Sequence, residues 1–169
     1  MILKRIFKPR EKPKPRLYEA IVAAARHENF YQNMAVPDTI EGRFEMIVLH
    51  MYLVLQRLKD EGVEDLRQNL TDEFFADVDG SLREFGVSDV AVGKKVRKLA
   101  ESYYGRLTAY DKAVKVGSKA LEEAISRNIY PGDTPEVAIK AMADYVVSAA
   151  KILGKLPREQ IIEGKFSFQ

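Results

Sequence analysis

Ten consecutive residues, Met46 to Leu55, are apolar except for His50, and they stand between Glu45 and Gln56. A helix that crosses a bilayer needs about 20 such residues. A run of ten therefore excludes a span and predicts a helix buried inside a folded domain. At about 100° per residue, Met46, Ile47, Met51, Leu53, Val54, Leu55 and Leu58 fill one broad arc, while Glu41, Glu45, Tyr52, Gln56 and Lys59 fall opposite. That pattern is a core helix with one partly polar stripe. A chain of 169 residues, 46% hydrophobic and 31% charged, is long and apolar enough to wrap such a helix in one domain.

The same three- and four-residue spacing of apolar side chains continues on both sides. Leu17, Ile21, Ala24, Ala25 and Tyr31 predict one first helix through "RLYEAIVAAARHENFYQNM". Pro37 closes it, and Asp38 is expected to cap the next, with Glu41 three residues on as in a capping box. That helix should run from about Thr39 to Asp60, with Gly62 beyond its end. Leu66, Leu70, Phe74, Val78, Leu82 and Phe85 predict a third, ended by Gly86, with Thr71 and Gly80 as points of interruption. Ser88 or Asp89 opens the longest helix, which keeps register from Val92 to Val114 and breaks near Gly117 before "SKALEEAISRNIY". Thr134 is expected to cap the last, with Pro135 at the first helical position and Gly154 at the end. No alternating β-branched run bounded by hairpin turns is present. The expectation is an all-α fold, a single helical domain of about six helices over residues 17–155, with an N-terminal arm at 1–16 and a C-terminal tail at 156–169.

Charge sets the arm apart. Residues 1–16 carry seven basic side chains against Glu11, a net +6 in a chain of +2, which leaves the body at −4. A mildly acidic body argues against DNA as a partner. Within the arm, Ile2, Leu3, Ile6 and Phe7 alternate with Lys4, Arg5 and Lys8, ahead of Pro9, Pro13 and Pro15. The segment is too short and too charged for a secretory signal. It reads either as a solvated tail or as a weak contact with an anionic membrane surface.

Little in the sequence supports catalysis. Without cysteine there is no thiolate chemistry or sulfur-ligated metal, and His27 and His50 are the only imidazoles, so no cofactor is expected. His50 lies in the apolar arc, with Arg43 seven residues before it, Arg57 seven after, and no carboxylate on that line to orient it as a base. It reads as a core histidine bonded to a neighbouring helix, with a client or subunit contact as the alternative and a catalytic role behind both. Arg43 sits in the first turn of a helix, where the dipole disfavours a cation. It therefore needs an acidic or carbonyl partner, either Asp38 or a group on another protein. "GVSDVAVGKK" departs from a phosphate loop: six residues separate Gly86 from Gly93, and Lys95 stands where Ser or Thr is required.

The long helix carries Lys94, Lys95, Arg97, Lys98, Arg106, Lys112 and Lys115 interleaved with Tyr103, Tyr104 and Tyr110. It is either a solvated face balanced by Glu101 and Asp111 or a surface for RNA, acidic peptide or lipid headgroups. Gly93 and Gly105 interrupt it at a cost of about 1 kcal/mol each relative to alanine. Each is expected to permit a close helix–helix or helix–ligand approach.

Three blocks, "FYQNMAVPDTIEGRFEMIVLHMYLVLQRLK", "NLTDEFFADVDGSLREFGVSDVAVGKKV" and "YGRLTAYDKA", occur in this order within Leu17 to Ala124. Together they resemble the ubiquinol–cytochrome c chaperone family, assembly factors for respiratory complex III in mitochondria and alphaproteobacteria. The resemblance implies a non-enzymatic role: binding newly made cytochrome b, near the ribosome in one branch of the family, with a small partner subunit in mitochondria. The lack of an Arg/Ser-rich transit peptide implies a bacterial protein at the cytoplasmic face of the inner membrane. The matching residues Asp38, Arg43, Glu45, His50, Gly93, Lys94, Tyr104, Gly105, Arg106 and Tyr110 are the candidates for client or partner contact.

Overall fold

The computed structural model describes residues 15–168; the membrane-contact candidates Ile2 to Lys8 lie outside them. These residues form eight helices and no strand: α1 (Pro15–Ala25), α2 (Glu28–Gln32), α3 (Ile40–Arg57), α4 (Glu64–Glu84), α5 (Asp89–Val116), α6 (Ser118–Ile129), α7 (Glu136–Lys155) and α8 (Arg158–Ile162). The all-α single domain is as the periodicity predicts. None of these helices is long and apolar enough to cross a membrane.

The apolar run is the axis of the fold. α3 packs against α1, α5, α6 and α7. Every residue from Val48 to Leu55 is buried, more than two full turns enclosed on all sides. The polar stripe is consequently narrower than the wheel suggests: Glu41, Gln56 and Lys59 are exposed, but Tyr52 and Glu45 are buried. α4 and α5 form a long antiparallel hairpin whose base joins this core through Leu70, Phe74, Tyr103 and Tyr110. There the Phe74 and Tyr103 rings stack with centroids 5.0 Å apart.

Several local expectations are corrected. The first predicted helix is two, because the chain breaks after Ala25 and His27 starts α2, its Nδ1 accepting a hydrogen bond from the Asn29 amide at 3.3 Å. Apolar spacing runs through such a break unchanged, so only the cap geometry reveals it. Thr39, not Asp38, caps α3: its hydroxyl accepts from the Gly42 amide at 3.1 Å. α3 ends at Arg57 rather than Asp60. Gly42 carries the close approach at this corner, since a Cβ there would lie 1.9 Å from the Pro37 carbonyl oxygen. α4 continues through Thr71 and Gly80 without interruption. Thr134 does not cap α7; Pro135 occupies that position, and Glu136 is the first helical residue.

Gly117, at φ 137°, separates α5 from α6 as expected, in a backbone region that favours glycine. Residues 156–168 contain α8, whose Ile161 is buried in the core, followed by an irregular return that lays Phe166 and Phe168 against it.

Candidate functional surface

His50 is sealed. Its ring is fully buried, with Nδ1 2.7 Å from the Met46 carbonyl oxygen and Nε2 2.6 Å from the Tyr145 hydroxyl of α7. A carbonyl only accepts, so Nδ1 carries the proton, and Nε2 accepts from Tyr145. Phe30, Tyr145 and Phe168 surround the ring, with centroids 5.5, 5.7 and 5.6 Å away. Burial lowers its pKa from 6.5 to about 4, against the opposing pull of the Met46 carbonyl. A neutral imidazole with both nitrogens engaged in an apolar cage has neither a substrate-facing atom nor a base to give. The core-histidine reading describes it.

Glu45 and Arg106 find each other. Arg106 on α5 directs Nε at both carboxylate oxygens of Glu45 on α3, at 3.2 and 3.1 Å, and Nη2 at Oε1, at 2.9 Å. This fork geometry fixes the azimuth of one helix on the other. Burial pushes the Glu45 carboxyl above its ordinary range, while the bond from Arg106 pulls it back. Next to this pair, the Tyr110 ring is completely buried and lies 5.6 Å from Tyr52.

Arg43 takes the internal alternative. Its Nε and Nη2 both reach Asp38 Oδ1 at 2.8 Å, across the start of α3. Both side chains remain more than half exposed, so the pair is a surface feature.

The remaining candidates share the outer face of α5. Gly93, Lys94, Tyr104 and Gly105 are all exposed, Tyr104 by 54%. The expected helix–helix approach at the glycines is absent, because a Cβ at Gly93 or Gly105 would meet nothing within 4 Å. Their cost to helix stability has no return inside the molecule. Of the ten candidates, Glu45, His50, Tyr110 and partly Arg106 hold the fold. Asp38 and Arg43 form one surface pair, and Gly93, Lys94, Tyr104 and Gly105 present one helix face.

Two features had weak or no signal in the sequence. Arg57 closes the end of α7, giving Nε to the Leu153 carbonyl at 3.0 Å and Nη2 to that of Leu156 at 2.9 Å, and it also pairs with Glu61. Second, α3, α5 and α7 leave between them an apolar groove of about 380 Å³, with Leu53, Val114, Val146, Val147 and Ala150 in its walls and Lys151 on its lining. The adjacent Val146 and Val147 in an otherwise amphipathic α7 were the available sign, since two neighbours cannot both face the same core. Among the described residues no three His, Asp or Glu side chains group as a metal site.

Comparison with known proteins gives one consistent result. The family model for ubiquinol-cytochrome C chaperone matches residues 32–168, which carries the likeness past Ala124 to the aromatic return. The crystal structure of the Cbp3 homolog from Brucella abortus is similar over 100% of this chain and 97% of that one, at 39% identity and a TM-score of 0.83. Ubiquinol-cytochrome c reductase complex assembly factor 1 of Drosophila melanogaster is 26% identical over 154 residues, 86% of this chain and 60% of its own length. The mitochondrial protein CBP3 of Saccharomyces cerevisiae is 25% identical over 148 residues, 82% of this chain and 44% of its own. Against these two the chain thus spans between two fifths and two thirds of the relative's length. With 39% identity across a whole solved homolog and a family match over most of its residues, the chain belongs to the ubiquinol-cytochrome C chaperone family.

Proposed function

We infer that this protein is a non-enzymatic assembly chaperone for ubiquinol–cytochrome c reductase, and that its client is newly made cytochrome b. The observation that carries the reading is the family match over residues 32–168, together with relatives named as assembly factors of that complex. The geometry is in keeping with it. The one buried imidazole is enclosed and neutral, whereas the α5 face and the groove beside α7 offer apolar and cationic surface without a closed substrate cavity.

The outer face of α5 is the proposed contact for the client. Tyr104 supplies an exposed aromatic of the kind that anchors interfaces. Gly105 beside it removes the one atom that would hold a partner helix away. The Glu45–Arg106 fork fixes the direction in which the face points. A polytopic client places the chaperone at the cytoplasmic face of the inner membrane, within reach of the ribosome that makes it, and the basic residues 1–16 suit that place.

Deleting the gene tests the function: assembled complex III on native gels is expected to fall while the cytochrome b transcript is unchanged. Normal complex III after deletion rejects the reading. A photocrosslinking residue at position 104 in living cells is expected to capture cytochrome b, and capture only of unrelated proteins rejects the contact face.

A further inference from the structure

The outer half of the α4–α5 hairpin is built as if to leave the protein. Between residues 79 and 102 only Val92 is buried, and it lies outside the main core cluster. Phe85 and Val90 flank that turn with 68% and 93% of their surface in water. Within the next two turns of α5 come Lys94, Lys95, Arg97 and Lys98, all exposed. None of the four joins an ion pair among the described residues. Arg83, by contrast, is tied to Asp79 and Asp89, which takes two of the tip's acids out of play and leaves Glu84 and Glu101 against the four free cations.

We propose that this hairpin tip docks on an anionic lipid surface, with Phe85 and Val90 entering the headgroup boundary and Lys94, Lys95, Arg97 and Lys98 meeting the phosphates. A convex end with two isolated apolar side chains has nothing to offer a flat or convex protein surface, but it suits a soft interface that closes around it. Cations one and two turns behind the apolar residues stand at the depth of the headgroups, where each contributes about fivefold to binding. RNA is the weaker fit. Of the three tyrosines that follow these cations on α5, Tyr103 and Tyr110 are buried in the core, so the stack of aromatics that a single strand needs is missing.

The proposal extends the membrane-side placement inferred above, and its test separates the two. The full-length protein is floated with phosphatidylcholine vesicles with and without phosphatidylglycerol, as wild type and as the F85S/K94E/R97E variant. Partition onto the anionic vesicles is expected to fall at least tenfold in the variant. Unchanged partition overturns the hairpin's part, while leaving residues 1–16 as a route to the membrane. The chain has no cysteine, so V90C carries a single environment-sensitive fluorophore without other changes, and V137C on α7 provides a control. A blue shift at position 90 and none at 137 on anionic vesicles is expected. No shift at 90, or tight binding of an RNA oligonucleotide that depends on Lys94 and Arg97, overturns the proposal.

Discussion

His50 on α3 and Tyr145 on α7 are joined by a 2.6 Å bond between Nε2 and the phenol, 95 residues apart in the chain. Because Nδ1 spends its proton on Met46, Nε2 is an acceptor, and among the described residues it is Tyr145 that donates to it. Tyr145→Phe keeps the ring against Phe30 and Phe168 but orphans a buried acceptor. Urea unfolding should show a loss of about 1–3 kcal/mol. Wild-type stability in that variant would mean that the bond does not help hold α3 to α7.

The same cage makes stability depend on pH. The unfolded chain takes up a proton at His50 as the pH falls through 6.5, whereas the folded chain does so only near 4. The unfolded state binds more protons in that interval, so stability rises with pH across it. The contribution is fully present above about 6.5 and is lost progressively toward 4, the loss reaching about 2 kcal/mol by pH 5. An NMR titration of the His50 ring, run alongside urea unfolding at pH 7 and pH 5, checks both halves. Protonation of His50 near pH 6.5 in the folded protein contradicts the sealed geometry.

Arg106→Ala removes the donor of a carboxylate that is only 11% exposed, while Arg106 itself keeps 29% of its side chain in solvent. The expected loss is about 2 kcal/mol, less than the 3–5 seen when a fully buried pair is broken. Glu45→Met combined with Arg106→Leu removes both charges and should cost less than either single change. Thermal unfolding of Glu45→Met, Arg106→Leu and the variant with both forms a double-mutant cycle, and strict additivity would show that the two groups are not coupled.

Much of the fold was legible because helical spacing reports burial directly. Met46 to Leu55 announced the central helix, and Gly86 and Gly117 announced the ends of α4 and α5 through the positive φ that each adopts. What was illegible depended on atoms meeting across the fold. Asp38 and Thr39 are both good caps, and only the path of Pro37 over Gly42 selects Thr39. Phe166 and Phe168 sit in an irregular return with no period to read, yet Phe168 closes the cage on His50. Among the candidate residues, spacing could not separate Tyr103 from Tyr104: neighbours on one helix, the first wholly buried and the second half in water.

The glycines of α3 and α5 separate structural from functional use. Alanine at Gly42 would put Cβ against the Pro37 carbonyl oxygen, a backbone atom that cannot swing aside, and should destabilise by about 2–3 kcal/mol. Alanine at Gly105 meets open space in the middle of a helix and should stabilise by about 1 kcal/mol. If the absent side chain is there to let the client come close, Gly105→Ala raises the melting temperature while lowering assembled complex III in cells. No gain in folding could produce that combination, since a more stable protein is not less abundant. A Gly105→Ala protein that melts higher and assembles complex III as well as wild type would sink the close-approach role and leave Tyr104 as the test of the face.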